Sequence, residues 1–390
     1  MSVLAADEPP LSTASAPVRA AYVHVPFCAH RCGYCNFTLV AGRDDLVTSY
    51  LAALERELQG LGQPQPVQTL FIGGGTPTHL EPPQLERLLR LVNEWFVLEP
   101  GGEFSVEANP AGLNAERVGL LAAAGITRVS LGAQSFNADK LRLLERDHTA
   151  DDIRRAVELL RPRVPSLSLD LIFGVPQETR AIWQADLQAA LALAPDHLST
   201  YGLTFERGTA FWSRLSHGQL QRVDEELERT LYADAIDTLT TAGLEHYEVS
   251  NFARPGHRCR HNEAYWAGES YWAAGPGAAR YIQGRREMNH RSTTTWIKRV
   301  LAGQSPVADS ETLSPEDRAR ELLVFGLRRM EGVSRGDFRL RTGYSLDALA
   351  GPILADYVAW GLMTDDGQRV RLAREGLFIS DALWPRLLKP

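Results

Sequence analysis

Three of the four cysteines of this 390-residue chain lie within eight residues of one another, at Cys28, Cys32 and Cys35. They follow a β-rich run at residues 22–27, so we expect three thiols on one loop at the C-terminal end of a strand. Thiolate sulfur is a soft ligand for zinc and for iron–sulfur clusters. The C-x3-C-x2-C spacing matches neither a zinc ribbon nor a four-cysteine ferredoxin run, and it predicts a cluster with one open iron. A zinc site completed by His24 or His30 is the alternative.

A glycine-rich turn, GGGTPT at residues 73–78, follows the second β-rich run. Glycines let backbone N–H and C=O groups approach a polar ligand closely, although such a turn alone is often only a turn. The turn makes Gly74, Gly75 and Thr76 candidate binding residues.

The first half of the chain alternates β-rich runs with amphipathic helical patterns. The runs are at residues 22–27, 67–72, 103–107, 127–131, 166–173 and 197–203, and the helical patterns at 45–61, 84–95, 115–124, 151–160 and 180–193. This alternation predicts an α/β fold with a parallel sheet and right-handed crossovers. It leaves open whether the sheet is flat or curled, but in both cases the functional loops follow the C-terminal ends of the strands.

The second half of the chain has a different pattern. A helix is predicted over residues 223–242 and a strand over 247–249, and an aromatic, glycine-rich segment without periodicity follows at 251–281. We expect that segment to be a functional loop or a lid. Helices at 315–329, 334–342 and 346–360, a hairpin around Asp366-Gly367 and a final short helix resemble a winged-helix module.

These patterns predict four regions. Residues 1–20 are expected to form a disordered tail, 21–220 an α/β core, 221–312 a helical and aromatic extension, and 313–390 a winged-helix-like C-terminal domain.

Composition restricts the partners and the compartment. The net charge of −7 and the pI near 5.9 argue against nucleic acid as a partner. No apolar run approaches the ~18 residues that span a bilayer, and residues 1–20 lack the pattern of a secretory signal. Clustered cysteines are typical of a metal site in a reducing compartment. We therefore expect a soluble, cytoplasmic protein.

The three-cysteine loop, with Tyr34 before its last cysteine, resembles the signature of radical S-adenosylmethionine (SAM) proteins, and the glycine-rich turn strengthens the resemblance. It is closest to the branch that contains oxygen-independent coproporphyrinogen III oxidase and the HemW-type haem chaperones, and it covers nearly the whole chain. The resemblance implies a partial (β/α)6-type radical SAM barrel with the winged-helix-like module at its C-terminal end. It also implies a [4Fe-4S] cluster on the three cysteines and SAM at the open iron.

Several further positions match residues that bind SAM in the oxidase. They are Tyr22, Glu107, Gln134, Arg146 and Asp170, and the family's glycine-rich segment, here including Gly74, Gly75 and Thr76, contacts the SAM amino group. Glu107 and Asp170 end strands and could accept hydrogen bonds from ribose hydroxyls, while Gln134 and Arg146 could donate to the SAM carboxylate. For each residue alone, a structural hydrogen bond or a surface ion pair is the alternative.

The segment at residues 261–266 reads HNEAYW, which matches the HNxxYW motif associated with haem binding in the HemW family. The resemblance implies haem contacts from His261, Tyr265 and Trp266, with an imidazole for iron and flat apolar faces for the porphyrin. We expect these rings on an apolar surface near the cluster, and the alternative is that they pack a loop over the sheet. Cys259 is expected to be a buried free thiol. Candidate partners of the haem propionates are Arg254, Arg258 and Arg260.

Two departures from the oxidase bear on function. Phe37 replaces a further cysteine of the oxidase motif, and only about twenty residues precede Tyr22, where the oxidase has a long segment. Both features resemble the HemW family. They favour a haem chaperone that binds haem and a [4Fe-4S] cluster with SAM and delivers haem to acceptor haemoproteins.

Other readings stay open at this point. The alternative function is a radical SAM oxidoreductase acting on a tetrapyrrole, and a zinc-stabilised α/β protein is a third reading. No dedicated catalytic acid or base can be named, and we expect no coproporphyrinogen oxidase activity. The sequence does not decide whether SAM is cleaved, whether an acceptor lies at the inner-membrane surface, or whether the protein is a homodimer.

Overall fold

The structure, a computed structural model, describes residues 17–388. Most of the tail predicted at residues 1–20 therefore lies outside the described residues.

The first half of the chain alternates strands and helices, and each predicted β-rich run overlaps an observed strand. The strands are β1 (Ala20–Val25), β2 (Phe27–Cys28), β3 (Val40–Ala41), β4 (Gln65–Gly74), β5 (Phe96–Ala108), β6 (Arg128–Gln134), β7 (Ser166–Phe173) and β8 (His197–Gly202). The helices are α1 (Val47–Gln59), α2 (Pro82–Trp95), α3 (Ala115–Ala123), α4 (Ala138–Leu143), α5 (Ala150–Leu160), α6 (Arg180–Ala192) and α7 (Ala210–Ser216), with 3-10 turns at Asp44–Leu46 and Pro77–His79.

The second half contains shorter elements. The helices are α8 (Glu225–Thr241), α9 (Arg260–Trp266), α10 (Thr293–Leu301), α11 (Pro315–Arg328), α12 (Arg335–Thr342), α13 (Leu346–Ala359), α14 (Arg374–Phe378) and α15 (Ser380–Leu388). The strands are β9 (Glu245–Glu248), β10 (Asn251–Ala253), β11 (Tyr271–Ala274), β12 (Ala279–Ile282), β13 (Arg285–Asn289), β14 (Val307–Thr312), β15 (Val333–Ser334), β16 (Met363–Asp365) and β17 (Arg369–Leu372).

One large sheet carries the site. Within residues 17–388 its strand order is β14-β13-β12-β11-β1-β4-β5-β6-β7-β8-β10-β9, and β1, β4, β5, β6, β7 and β8 are parallel to their neighbours in this series. The expected α/β fold with a parallel sheet is confirmed. Because the six strands run in the same direction, their C-terminal ends lie at one edge of the sheet. The loops that carry the cysteines and other candidate site residues converge there.

Alternation along the strands separates two kinds of surface. Side chains such as Val23, Leu70 and Val129 are fully buried in one apolar cluster with the helices. Side chains at the alternate positions, such as Thr69, Ser105 and Ser130, lie on the opposite face of the sheet. That second face carries polar side chains together with the rings of Tyr22 and Phe71, and it forms the inside of the curved sheet.

The expectation of a loop or lid at residues 251–281 is wrong. The segment contains β10, α9, β11 and β12, and β11 pairs in parallel with β1 inside the large sheet. These elements have only three to seven residues each, so they are too short for a hydrophobic period to appear in the 11–18-residue window that reveals one.

The C-terminal region has the predicted winged-helix-like composition. Helices α11, α12 and α13 precede the hairpin of β16 and β17, and β15 completes a small sheet of order β15-β17-β16. The boundaries predicted at residues 220 and 312 stay predictions, and the strands between them extend the large sheet at both edges. Within residues 17–388 no helix is both long enough and apolar enough to cross a membrane.

Candidate cofactor site

A cavity of about 530 Å³ lies at the C-terminal ends of the parallel strands. Its volume falls in the range of ~300–1,000 Å³ that is typical of small-molecule sites. Most of the site residues predicted from the sequence line this one cavity: Cys28, Cys32, Cys35, Gly74, Gly75, Thr76, Glu107, Gln134, Arg146 and Asp170.

The three cysteines of the loop after β1 are all free thiols. Cys28 Sγ lies 3.5 Å from Thr76 Oγ1, and Cys32 Sγ accepts a hydrogen bond of 3.5 Å from Arg146 Nη1. A backbone hydrogen bond of 3.0 Å from the Cys35 N–H to the Cys32 carbonyl turns the loop so that both face the cavity. Burial raises the pKa of the Cys28 thiol to about 11 and also raises the pKa of Cys35.

The donors fit a cluster by type and by position. Among residues 17–388, no group of three His, Cys, Asp or Glu side chains is arranged to hold a single metal ion. Cysteines that hold a cluster bind different irons, so their sulfurs need not converge on one point. Three free thiols around one open cavity, with a guanidinium beside one of them, are therefore suited to an anionic cluster.

The histidines considered for a zinc site are engaged elsewhere. His24 Nδ1 bonds the Tyr22 hydroxyl at 3.0 Å and its Nε2 bonds the Thr38 carbonyl at 2.6 Å. His30 Nε2 bonds the backbone carbonyl of Glu145 and lies 3.6 Å from Cys32 Sγ. His24 thus has no ring nitrogen available to a metal in this structure.

The glycine-rich turn is packed tightly against β1 and the cysteine loop. Gly74 has a φ of +114°, and a Cβ there would lie 2.4 Å from the His24 ring. A Cβ on Gly75 would lie 2.6 Å from the Phe27 carbonyl oxygen. The N–H groups of Gly75 and Thr76 donate to the Val25 and Phe27 carbonyls, each at 2.7 Å. The turn therefore needs glycine for its own packing as well as for the approach of a ligand.

Two carboxylates lie at the bottom of the cavity. Glu107 accepts a 2.8 Å hydrogen bond from the Gly74 N–H, and both Asp170 oxygens accept from the Ser130 hydroxyl, at 3.0 and 2.9 Å. Burial raises the pKa of Glu107 to about 7, and the nearby Asp170 adds to the effect. Burial also raises the pKa of Asp170. A bound cation or ligand hydroxyl groups would restore the solvation that both carboxylates lack.

Gln134 and Arg146 line the side of the cavity next to Cys32. Gln134 ends β6 at a φ of +62°, an uncommon conformation for a residue other than glycine. Arg146 Nη2 donates to the Gly132 carbonyl at 3.0 Å, while its buried Nε has no hydrogen-bond partner within the described residues. Arg146 therefore retains an N–H that can still bind an acceptor.

Tyr22 does not line the cavity. Its hydroxyl bonds His24, and its ring stacks on Phe71 with the centroids 6.1 Å apart. It lies inside the curved sheet, in the layer below Gly74, where it supports the His24 ring.

His261 lies at the opposite end of the sheet from the cysteines. Its Nδ1 bonds the Thr69 hydroxyl at 3.0 Å, its Nε2 bonds the Tyr265 hydroxyl at 2.9 Å, and its ring stacks on Phe71. Thr69 pairs with Ala20 at the start of β1, five residues or roughly 16 Å before the Gly74 end of β4. The expected position near the cluster is therefore wrong. His261 is 1% exposed, and burial lowers its pKa to about 3.

Tyr265 and Trp266, the other residues of the motif expected to contact haem, have different neighbours from His261. Tyr265 packs edge-on against Tyr271 at 4.5 Å, and Trp266 contacts the C-terminal module, where the Arg328 guanidinium lies 4.6 Å from its ring. Cys259 is buried and free, as predicted. The arginines proposed for propionates are engaged with other groups: Arg254 with the Pro195 carbonyl, Arg260 with the Gly101 carbonyl, and Arg258 with Glu245, Glu263 and Glu331.

Two further residues of the cavity were not predicted from the sequence. Ser130 holds Asp170, and Tyr201 lines the cavity at the end of β8. Both occupy inward positions of strands that were predicted. Assigning each residue to a face by strict alternation would have placed them on the same face as Asp170.

A curled parallel sheet with three free cysteines on its first loop defines a radical SAM protein by fold and site. The comparisons agree: the family profile described as the Radical SAM superfamily matches residues 22–190, and that of the HemN C-terminal domain matches residues 313–379. Coproporphyrinogen III oxidase (HemN) from Escherichia coli has the same fold, with a TM-score of 0.85 at 23% identity over 96% of this chain and 92% of that one.

Similar full-length sequences give the family. The chain is 35% identical to heme chaperone HemW of Bacillus subtilis, over 95% of this chain and 99% of the relative. It is 36% identical to heme chaperone HemW of Mycobacterium tuberculosis, over 94% of each. It is 34% identical to the mouse radical S-adenosyl methionine domain-containing protein 1, mitochondrial, over 97% of this chain and 89% of the relative. The chain belongs to the HemW family of radical SAM proteins.

Proposed function

We propose that this protein is a haem chaperone that binds haem, holds a [4Fe-4S] cluster with SAM, and delivers haem to acceptor haemoproteins. The observation that carries the proposal is the similarity over nearly the whole chain to proteins named heme chaperone HemW. Phe37, at the position of a further cysteine in the oxidase motif, supports it. This side chain is 63% exposed beside the cavity.

In this proposal, different residues of the cavity would bind the cluster and SAM. Cys28, Cys32 and Cys35 would hold the cluster, which supplies electron transfer and an open iron when bound. Arg146 lies against Cys32 and would offset negative charge at the sulfur. Glu107 and Asp170 would accept from ligand hydroxyls or the SAM amino group, because both are half-buried carboxylates that line the cavity.

The remaining SAM contacts have supporting roles in this proposal. Gln134 would donate to the SAM carboxylate, and Gly74, Gly75 and Thr76 would bring the backbone close to the methionine end of SAM. Tyr22 would act indirectly, because it packs beneath Gly74 through the His24 ring.

The haem contacts proposed for His261, Tyr265 and Trp266 have to be compatible with their packing. Both ring nitrogens of His261 are hydrogen-bonded, so ligation of iron through Nε2 requires the Tyr265 hydroxyl to move away. Trp266 needs no such change to contact a ligand, because it already lines cavities beside the C-terminal module.

The compartment and the partners belong to the same proposal. Four free thiols are in keeping with a reducing cytoplasm. We propose acceptor haemoproteins as the protein partners, including acceptors at the inner-membrane surface, and no nucleic acid. A homodimer stays a prediction that sedimentation of the full chain would test.

The first test is a haem titration of the anaerobically reconstituted protein, followed by visible absorption. We expect saturation near one haem per chain. Cys28→Ser is expected to retain haem affinity, because the cysteine loop and α9 lie at opposite ends of the sheet. It is expected to change the rate of haem transfer to apomyoglobin. Cys259→Ser, which alters a buried thiol far from the cluster loop, is the matched control for transfer.

Haem binding no stronger than that of an unrelated protein such as lysozyme would contradict the chaperone proposal. The tetrapyrrole oxidoreductase would then be tested by release of 5'-deoxyadenosine in the presence of coproporphyrinogen III. Loss of haem affinity in Cys28→Ser would contradict separate sites for haem and the cluster.

A further inference from the structure

A second cavity lies where α9 of the barrel meets the C-terminal module. We call it the junction cavity; its volume is about 240 Å³. It is lined by Trp266 from the HNxxYW motif and by polar side chains of the module that include Arg329, Ser334, Arg341, Thr342 and Arg369.

The junction cavity has cationic side chains without anionic partners. Within residues 17–388, Arg341 and Arg369 form no ion pair: Arg341 donates to the Ala267 carbonyl, and Arg369 donates to the Glu331 carbonyl at 3.4 Å. Most arginines of the C-terminal module, in contrast, are paired with carboxylates.

Two carboxylates also line the junction cavity, against three arginines. Glu331 is already paired with Arg258, and its other oxygen lies 3.6 Å from Arg329. Asp337 is exposed at the first turn of α12. The guanidinium groups of Arg341 and Arg369 therefore stay available to an anion that enters the cavity.

Trp266 supplies an independent indication of a missing acceptor. Its Nε1 is buried and has no hydrogen-bond partner among the described residues. The Arg328 guanidinium lies over one face of the indole and Phe325 packs edge-on at 6.1 Å, so the ring is held in place. A buried donor without a partner is unfavourable, and an acceptor that the N–H could reach from either of the two cavities that Trp266 lines would remove this penalty.

We propose that the junction cavity binds the propionate carboxylates of haem, through Arg341, Arg369 and the Trp266 N–H. This inference rests on the proposed function and locates one part of its haem site. The cavity is smaller than the ~300 Å³ at the lower end of pockets that enclose a whole small molecule. It therefore takes the carboxylate arms, and the macrocycle lies outside it.

The arginines nearest the HNxxYW motif in sequence, Arg254, Arg258 and Arg260, do not line the junction cavity. Arg258 is paired with Glu245, Glu263 and Glu331, and Arg254 and Arg260 each donate to a backbone carbonyl of the barrel, outside the junction cavity. Planar guanidinium groups match carboxylates in two-point hydrogen bonding. The C-terminal module supplies such groups in their place.

The test compares haem with haem dimethyl ester, added from the same solvent, to the full-length reconstituted protein. We expect the wild type to bind haem at least tenfold more tightly than the ester. Arg341→Gln and Arg369→Gln are each expected to weaken haem binding about tenfold and to leave ester binding unchanged. Arg339→Gln removes an exposed charge from the same helix outside the cavity, and it is the matched control. Trp266→Phe keeps the ring, removes the N–H, and is expected to weaken haem binding severalfold.

The outcomes separate this inference from the function on which it rests. If the wild type binds haem but Arg341→Gln and Arg369→Gln bind it equally well, or if Arg339→Gln weakens it as much, the junction cavity is not the propionate site and the chaperone proposal stands. If inorganic pyrophosphate binds the cavity in a manner that depends on Arg341 and haem binding does not, the cavity serves a phosphorylated ligand. If the wild type binds neither haem nor its ester, the proposed function itself fails.

Discussion

Gly74 illustrates how a single residue connects packing to ligand binding. Its N–H donates to Glu107, and its Cα hydrogens face the His24 ring at a distance that no side chain could occupy. The residue therefore fixes the position of a carboxylate in the cavity and of a ring beneath it.

We expect Gly74→Ala to lower the free energy of unfolding by about 2–4 kcal/mol, because it combines an unfavourable positive φ with a collision against His24. Gly112→Ala is the matched control, since Gly112 has a φ of +82° but open space around its Cα, and it is expected to cost about 1 kcal/mol. Urea unfolding measures both, and equilibrium dialysis of SAM should show weaker binding for Gly74→Ala alone. Equal effects of the two substitutions would contradict the packing argument.

His261 shows where residue-level reading of a motif reached its limit. The residue type and the motif indicated a ligand, but the groups that occupy its ring nitrogens are Tyr265, four residues away, and Thr69, 192 residues away. A contact across that separation exists only after the sheet has formed. The sequence could therefore identify the motif without showing that its histidine is buried.

Among the secondary-structure elements, the sequence predicted the long strands and helices that have a repeating pattern of apolar residues. The strands that carry Glu107, Gln134 and Asp170 were all identified, because each contains five or more consecutive residues with a strand-like pattern of apolar and polar side chains. Their parallel arrangement followed from the intervening helices, and that brought most of the cofactor site to one edge. The short α9 and β11 left no such pattern, although β11 lies beside β1 in the middle of the sheet.

Helix α9 depends on one carboxylate of β5. Glu103 accepts hydrogen bonds from the N–H groups of Arg260 and His261, at 3.0 and 3.1 Å, and lies 3.7 Å from Cys259 Sγ. A negative charge at the start of a helix also interacts favourably with the helix dipole. Glu103 therefore helps to join the HNxxYW segment to the barrel, together with the Thr69–His261 hydrogen bond.

We expect Glu103→Gln to lower the free energy of unfolding by about 1–3 kcal/mol, because an amide nitrogen cannot accept one of the two backbone hydrogen bonds. The substitution should also increase the rate of amide hydrogen exchange more in α9 than in β4. Glu94→Gln, at an exposed position of α2, serves as the control and should change neither measurement. Unchanged exchange in α9 would show that Glu103 does not hold the helix.

The protein as a whole buries both basic and acidic side chains, and they change the pH dependence of its stability in opposite directions. Burial lowers the pKa of His261 from 6.5 to about 3 and raises the pKa of Glu248 from 4.5 to about 7. Between about pH 4.5 and 6.5, unfolding lets His261 take up a proton, whereas it makes Glu248 release one. His261 therefore lowers stability as the pH falls, and Glu248 raises it.

We expect His261→Asn and Glu248→Gln to change the pH dependence in opposite directions. Removing His261 should make the free energy of unfolding fall less steeply on acidification, by up to ~1.4 kcal/mol per pH unit, and removing Glu248 should make it fall more steeply by a similar amount. Urea unfolding at several pH values between 5 and 6.5 measures the slopes, with His217→Asn, which removes an exposed imidazole, as the control. Parallel slopes for the two variants would refute this assignment.

The rings of Tyr22, Phe71 and His261 stack one below another inside the curved sheet, beneath the cavity that holds the cysteines. In the described part of the chain, these three rings fill space inside the sheet below the cavity. Dioxygen would then reach the sulfur ligands mainly from the strand ends, past the exposed ring of Phe37. The resistance to air of a cluster held by these cysteines would accordingly depend on what covers that one face.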